Sequence, residues 1–517
     1  MHWSEKIAKR LIESHPEQQT FVCASGISPS GHIHIGNFRE IVTTYFVSKA
    51  LEKAGKKVRF IFSWDDFDRF RKVPVHVDPS FGQYIGRPYT QVPCPYGCHN
   101  SYAEHYEQEF EQALSAFGIR PEFIYQSKEY QSGRYAPGIL HALQSRGEIY
   151  DILMSFKTGE ASEAERAAFY PVSVYCGDCG RDSTSVHSFD EEKEHLTYSC
   201  TCGHHGIVSV AKADNIKLQW KIDWPMRWNV EQVLFEPGGR DHSSETGSYN
   251  VASVISERIY GNPPPMYEPY EFIRIKGSFA KMSSSSGNNY TPDDLLKVYL
   301  PENILFLFAK YQPNAEFHIG MDEDVLRNYT EFERYRKAYS SHTLTDDIHS
   351  AVELSLIHPL DLNTPSFGPI AGLLPLIHFD QNLLHEMMTH NGEEVDVNGL
   401  LQIAERAEYW IKHWMPQKLV TVNGSRDIAL YETLETHEQQ WLEAFCGLIR
   451  TGGMEDEQMM TEIYAICYDE DKKVMKNRQK RLFTLIYQLV LGQETGPRIP
   501  VLIQAVGQER LLALLDF

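Results

Sequence analysis

Apolar and polar positions alternate along this chain with two different periods, and the change from one to the other divides it. The N-terminal stretch MHWSEKIAKRLIESHPEQQT is amphipathic with helical spacing, and the unbroken apolar run FVCASGI follows it. Next come the glycine-bearing turn SPSGHIHIGN, the long helical pattern FREIVTTYFVSKALEKAG ended by Gly55, and a second apolar run, KVRFIFSWDD. Helix, strand, glycine turn, helix and strand predict a βαβ unit of a doubly wound parallel sheet, whose ligand site lies at the C-terminal ends of the strands. The α/β rhythm breaks from about 94 to 210 and resumes near KADNIKLQWKIDWPMRW. A Rossmann-type domain split into 1–93 and 211–293 around an insertion at 94–210 is therefore expected. Beyond 294 helical periodicity dominates, as in DDLLKVYLPENILFLFAKY, FERYRKAYSS and NGLLQIAERAEYWIKHWM, which predicts helical regions over 294–360 and 361–517.

At 517 residues the chain is too long for one core and should form three or four domains. Its net charge of −21 argues against indiscriminate coating of nucleic acid, which needs Lys and Arg to release counterions, yet is compatible with docking on RNA through a few basic patches. No run approaches the ~18 apolar residues of a membrane span and no signal-peptide core is present, so a cytoplasmic protein with no membrane attachment is expected; a monomer is expected as well. Six of the nine cysteines fall in two tight groups near histidines, which suits metal binding in a reducing compartment. Cys23, Cys446 and Cys467 stand alone and read as buried thiols.

Two segments carry the chemistry. In Pro29–Asn37, Gly31 and Gly36 would let the backbone approach a ligand, His32 and His34 supply donors for oxyanions, and the helix after Asn37 would aim amides and a positive dipole end at phosphate. In Lys281–Asn288, a lysine followed by a row of hydroxyls suits the charge of a departing pyrophosphate. Singly, each is an ordinary turn or polar loop. As a pair, an early Pro-x-x-x-x-His-Ile-Gly turn and a late Lys-Met-Ser loop resemble the signatures of class I aminoacyl-tRNA synthetases, with Asn37 where that family's second histidine usually falls and the uncharged Ser285 where a second lysine often falls. The resemblance implies ATP held by His32, His34, Gly36, Asn37, Lys281, Ser283, Ser284 and Ser285, with Mg²⁺ on its phosphates. It gives His34, Asn37 and Lys281 the catalytic roles. The substrate carboxylate is already a nucleophile, so attack on the α-phosphate calls for positioning and charge stabilisation only.

Further segments resemble one branch, the class I lysyl-tRNA synthetases, over roughly the first 300 residues: GISPSGHIHIGNFRE, WDDFDRFRKVP, CPYGCHNSYAEHY, KLQWKIDWPMRW, FEPGGRDHSSETGSYN and YEFIRIKGSFAKMSSSSGN. The branch implies ATP-dependent attachment of L-lysine to tRNA(Lys) through a lysyl-adenylate, with a pocket at Gly26, Ser28, Trp220, His242 and Tyr270. Asp241 shares the Gly-Gly-Arg-Asp-His loop with His242 and is read as part of the same site. A lysine side chain lying between Trp220 and Tyr270 would gain apolar contact and about 0.5–2 kcal/mol of cation–π attraction, while Trp224 and Trp228 read as core. The competing readings are a glutamyl- or arginyl-tRNA synthetase, or a non-catalytic tRNA-binding paralogue.

Cys176-x-x-Cys179 with Cys200-x-Cys202 presents four soft ligands suited to a structural Zn²⁺, although the second pair is tighter than a usual knuckle and His204 or His205 could replace Cys202. Cys94, Cys98, His99 and His105 could converge if 101–112 is helical. The resemblance implies a second zinc there, with an oxygen ligand where Cys94 stands. Lys472, Lys473, Lys476, Arg478, Lys480 and Arg481, ahead of LFTLIYQLVLG, could offer a phosphate backbone a basic face or could be only a solvated one. The resemblance makes 294–360 a stem-contact region and 361–517 an anticodon-binding domain.

Overall fold

Five parallel strands form the central sheet, in the order Met266–Tyr270, Phe235–Gly239, β1 (Thr20–Ile27), β2 (Lys57–Trp64) and β3 (Glu122–Tyr125). The computed structural model describes residues 1–157, 162–277, 289–341, 343–358, 364–389 and 396–517. Two compact units divide the chain, one comprising Met1–Leu295, Pro301–Gly320 and Ala338–His358, the other Leu296–Leu300, Met321–Lys337 and Pro359–Phe517.

In the first unit β1 pairs with β2 from Thr20↔Lys57 to Ile27↔Trp64. Phe21 to Ala24 are all buried, as expected of a strand covered on both faces. The crossover between the two strands is α2 (Ile35–Lys53), which ends as Gly55 takes a left-handed φ of +78° and its amide returns to the Glu52 carbonyl. Against it lies α1 (Trp3–Ser14), with Trp3 edge-on to Phe46 at 6.0 Å. The part that carries Cys176 to Cys202 is a three-stranded antiparallel sheet, Thr184–Asp190, His195–Cys200 and His205–Ser209.

Two elements depart from the expected pattern. Strand β3 and α3 (Tyr102–Ala116) lie inside the 94–210 range, yet β3 pairs with β2 as the edge of the central sheet. A second strand, Phe317–Ile319, lies in the region expected to be helical and pairs in parallel with Ile273–Ile275. Strands of four and three residues are too short to establish a period of two.

The second unit contains helices and no strand among its described residues from 364 onward. Its core gathers Leu442, Phe445, Ile449 and Ile463 around the helix Lys472–Leu491. That helix buries Leu482, Leu485, Ile486 and Leu489 on one face and exposes Lys472, Lys473, Lys476 and Lys480. Arg478 and Arg481 are drawn into ion pairs with Asp469 at 2.9 Å and Glu438 at 2.6 Å. Among the described residues no helix is long and apolar enough to cross a membrane.

Candidate functional site

The β1–α2 turn is built around histidine. Buried His34 caps α2, its Nδ1 accepting from the amides of Gly36 at 3.0 Å and Asn37 at 3.3 Å. The helix thus begins at Ile35 and not after Asn37, and the amides of Gly36 and Asn37 in its first turn are satisfied by the cap. Because Nδ1 accepts, the neutral ring carries its proton on Nε2, a donor. The Ile35 amide donates to the carbonyl of Tyr290 at 2.9 Å, so the chain emerging from Lys281–Asn288 returns to the first turn of α2. Lys281, Ser283, Ser284 and Ser285 themselves lie outside the described residues. His32 Nδ1–H donates to Glu109 at 2.8 Å, and the ring sits edge-on to Tyr106.

At the C-terminal end of the sheet a cleft of about 590 Å³, counting its open mouth, is lined by Gly26, Glu40, Trp220, Glu236, His242 and neighbouring side chains. A β-carbon on Gly26 would lie 2.9 Å from the Ser63 carbonyl oxygen, so only glycine allows β1 and β2 this approach. Its amide donates to Glu40 Oε1 at 3.0 Å, and the Tyr270 hydroxyl donates to Glu40 Oε2 at 2.7 Å. Burial nevertheless pushes the Glu40 carboxyl up to about 8, against those two hydrogen bonds, with Glu236 and Asp65 adding to the rise. Glu236, which accepts from Trp228 Nε1 at 2.5 Å, is pushed up to about 7, again by burial. Asp65 is neutralised differently, by Arg227 at 2.7 Å, and Arg227 also pairs with Asp223 at 3.0 Å. Glu40 and Glu236 make no ion pair among the described residues, which leaves the cleft with two carboxyls suited to an incoming cation.

Five of the six residues assigned to the amino-acid pocket converge here, each in its own way. Gly26, Trp220 and His242 line the cleft, and buried Tyr270 stands behind Glu40. Asp241 is exposed, with Oδ1 beside Gly239, on the loop that carries His242. The Ser28 hydroxyl instead donates to Asp68 Oδ2 at 3.1 Å, and Asp68 in turn pairs with buried Lys217. Trp220 stacks on Trp224 at 5.0 Å and takes the Arg227 guanidinium 5.3 Å from its ring centre, so it already contacts a cation. Trp224 and Trp228, read as core, are buried and also line the cleft. Glu40, Asp65, Arg227 and Glu236 were not singled out from sequence. The faint signal for them was an acid within the apolar face of α2 and the Asp223/Arg227 spacing of four within WKIDWPMRW.

Both cysteine groups close up. Cys176–Cys202 and Cys179–Cys200 sulfurs lie 3.7 Å apart, and the four ligand atoms fall within 4.8 Å of one another. In the second group Cys94–Cys98 is 3.7 Å, Cys98–His105 Nδ1 is 3.3 Å and His99 Nδ1–His105 Nδ1 is 3.2 Å. Tetrahedral zinc with Zn–S of about 2.3 Å and Zn–N of about 2.0 Å requires edges of roughly 3.3–3.8 Å, so both donor sets fit it. Burial works to raise both Cys94 and Cys200, yet each is drawn down to about 7, Cys94 by three backbone amides and the Cys98 thiol, Cys200 by the Cys202 amide and the three neighbouring thiols. Such thiols ionise readily for a metal.

Comparison with known proteins adds an independent line. The family described as "tRNA synthetases class I (K)" matches residues 1–358. A lysine–tRNA ligase of Treponema pallidum is 34% identical over 535 residues, covering 100% of this chain and 98% of that protein. One from Borreliella burgdorferi is 32% identical with 98% of each chain covered, and one from Pyrococcus horikoshii is 32% identical with 96% of each covered.

Proposed function

This chain belongs to the class I tRNA synthetases of the lysine branch, and from that premise we propose that it joins L-lysine to tRNA(Lys) at the expense of ATP, through a lysyl-adenylate. The observation that carries the substrate is the cleft at the end of β1, where Glu40 and Glu236 offer carboxyls that have no ion-pair partner among the described residues, beside Trp220 and His242. A lysine ammonium favours their ionised form and is attracted to the carboxylate that results, whereas a glutamate side chain gains no such partner, because the Arg227 guanidinium is taken by Asp65 and Asp223. Arginine, also a cation, is disfavoured by the relatives rather than by the cleft.

In this reading ATP, entering with Mg²⁺ that screens its phosphates, lies along the β1–α2 turn. His34 Nε2–H and the Asn37 amide side chain hold phosphate oxygens, with Gly36 leaving room for them, and His32 adds its Nε2. Lys281 and the hydroxyls of Ser283, Ser284 and Ser285 close over the leaving pyrophosphate. The lysine carboxylate attacks the α-phosphorus, pyrophosphate departs, and the aminoacyl group then passes to the terminal ribose of the tRNA. The two sheet segments, 1–93 with β3 and 211–293, carry activation. The Cys-bearing insertion is stiffened by one or two zinc ions, 294–360 meets the acceptor stem and 361–517 the anticodon.

The experiment is aminoacylation of total tRNA with each labelled amino acid, with tRNA present throughout. Lysine alone should be charged. Charging with glutamate or arginine would keep the fold and overturn the pocket, and no charging with intact tRNA binding would favour the non-catalytic paralogue. A second expectation concerns the metals. Chelation should release zinc and melt the insertion first, seen as loss of protection around 172–210 in hydrogen exchange before β1 and β2 open. Unchanged metal content and exchange after exhaustive chelation and dialysis would remove zinc from the account.

A further inference from the structure

Helix α3 carries more than the ligand His105. Its N-terminus is capped by the Ser101 hydroxyl, which accepts from the Glu104 amide at 3.1 Å, and it is anchored by buried Tyr102, Tyr106 and Phe110. On this fixed rod Gln108 and Glu109 follow His105 by about one turn. His99 Nε2–H donates to Gln108 Oε1 at 3.0 Å, and His105 Nε2 lies 3.8 Å from Glu109 Oε2. Each histidine of the cluster thus turns Nδ1 inward, toward the sulfur of Cys98; His99 gives its other nitrogen to an acceptor on α3, whereas that of His105 faces Glu109 at a distance longer than a hydrogen bond. Partners of this kind set ring orientation and tautomer at metal sites. Glu109 does a second thing: both its oxygens accept from His32 Nδ1, at 2.8 and 3.0 Å, 77 residues away in sequence. Tyr106 and His76 pack the other sides of that ring, with centroids at 5.1 and 4.7 Å, but neither reaches His105 by a hydrogen bond.

We propose that Glu109 is a positioning residue for the ATP-binding turn. It holds the His32 ring by its Nδ1–H, so that Nε2 is the nitrogen left for ATP, and it ties that ring through His105 to the metal cluster of Cys94, Cys98, His99 and His105. This rests on the reading of His32 as an ATP ligand. A ring held at one nitrogen and packed on two sides loses little freedom when ligand arrives, whereas a ring released from Glu109 must be ordered at that moment. With a metal bound, His105 would be fixed, and its ring, 3.8 Å from Glu109 Oε2, would limit where Glu109 can lie and through it His32. The cluster therefore bears on nucleotide binding as well as on local stability.

The test is calorimetric titration of the zinc-loaded full chain with α,β-methylene ATP and, separately, with lysine, for wild type, Glu109→Ala, Glu109→Gln, His32→Ala and the Glu109→Ala/His32→Ala double variant. Glu109→Ala should weaken analogue binding about tenfold while lysine affinity stays unchanged. Glu109→Gln, which can still accept from Nδ1–H, should return it to within about threefold of wild type, a rescue that a merely structural role would not give. Glu109→Ala should add nothing on top of His32→Ala. Stripping the metal should weaken the analogue for wild type and leave Glu109→Ala unaffected. If His32→Ala weakens the analogue while Glu109→Ala does not, the positioning role is wrong and the reading of His32 stands. If His32→Ala changes nothing, that reading falls and the proposal with it. Equal losses on stripping wild type and Glu109→Ala would break the link through His105.

Discussion

Replacing Lys281 with alanine is expected to slow lysyl-adenylate formation by about 10²–10³-fold while leaving tRNA affinity nearly unchanged. Removing one preorganised donor from a developing oxyanion typically has an effect of that size. Here the loss should fall at the upper end, because Lys281 is the only basic residue in SFAKMSSSSGNN and Ser285 provides no second charge. The bond from the Ile35 amide to the Tyr290 carbonyl ties the downstream end of this loop to the turn that carries His34. Arginine at 281 should restore only part of the rate, since it keeps the charge but not the compact ammonium. Pyrophosphate exchange with tRNA present reads the first step, and filter binding reads tRNA affinity. Equal losses in both would mean that the loop serves RNA binding and not the leaving group.

The parts of the fold that sequence reveals are those with local causes. FVCASGI, the glycine turn and the helix ended by Gly55 each encode their own conformation, and β1, α2 and β2 follow. What is hidden depends on distant partners. Strand β3 has only EFIY to announce it, and it becomes a strand because β2 presents an open edge to it. Phe317–Ile319 is likewise a strand through Ile273–Ile275.

The site divides in the same manner. The histidines and glycines of the turn can be picked out because one short segment holds them, and the spacing of the cysteines of Cys176–Cys202 announces that they cluster. The role of His34 as a helix cap, and hence its tautomer, required geometry. The acids of the cleft could not be picked out. Glu40 comes from α2, Asp65 from the end of β2 and Glu236 from a strand placed beside β1 only by the sheet order, and in the sequence each resembles one of many solvated acids. The expected clamp of Trp220 and Tyr270 shows the limit of motif reasoning: the tyrosine contributes through the hydrogen bond by which it holds Glu40.

That bond makes Glu40 the more informative residue to change. Glu40→Gln keeps an acceptor for the Gly26 amide and the Tyr270 hydroxyl, so the fold should persist, but it removes the charge from a buried site. Loss of one partner from a buried charge pair costs about 2–5 kcal/mol, so lysine affinity should fall by roughly two orders of magnitude with ATP affinity unaltered. Acidity supplies the sharper signature. In the empty cleft burial raises Glu40 to about 8, so at pH 7 its carboxyl is largely protonated. Binding an ammonium favours the carboxylate, so lysine binding must release a proton below that value. Lysine affinity should therefore rise with pH between about 6.5 and 8 and level off above, while the substrate's own side chain, with a reference value near 10.4, stays charged throughout. Glu236, raised to about 7, contributes to the lower part of the same rise. In Glu40→Gln the upper part should be lost. Titration calorimetry in buffers of different ionisation enthalpy counts the released proton directly. A wild-type profile that is flat from pH 6.5 to 8.5, or an unchanged slope in the variant, would show that the lysine ammonium does not meet Glu40.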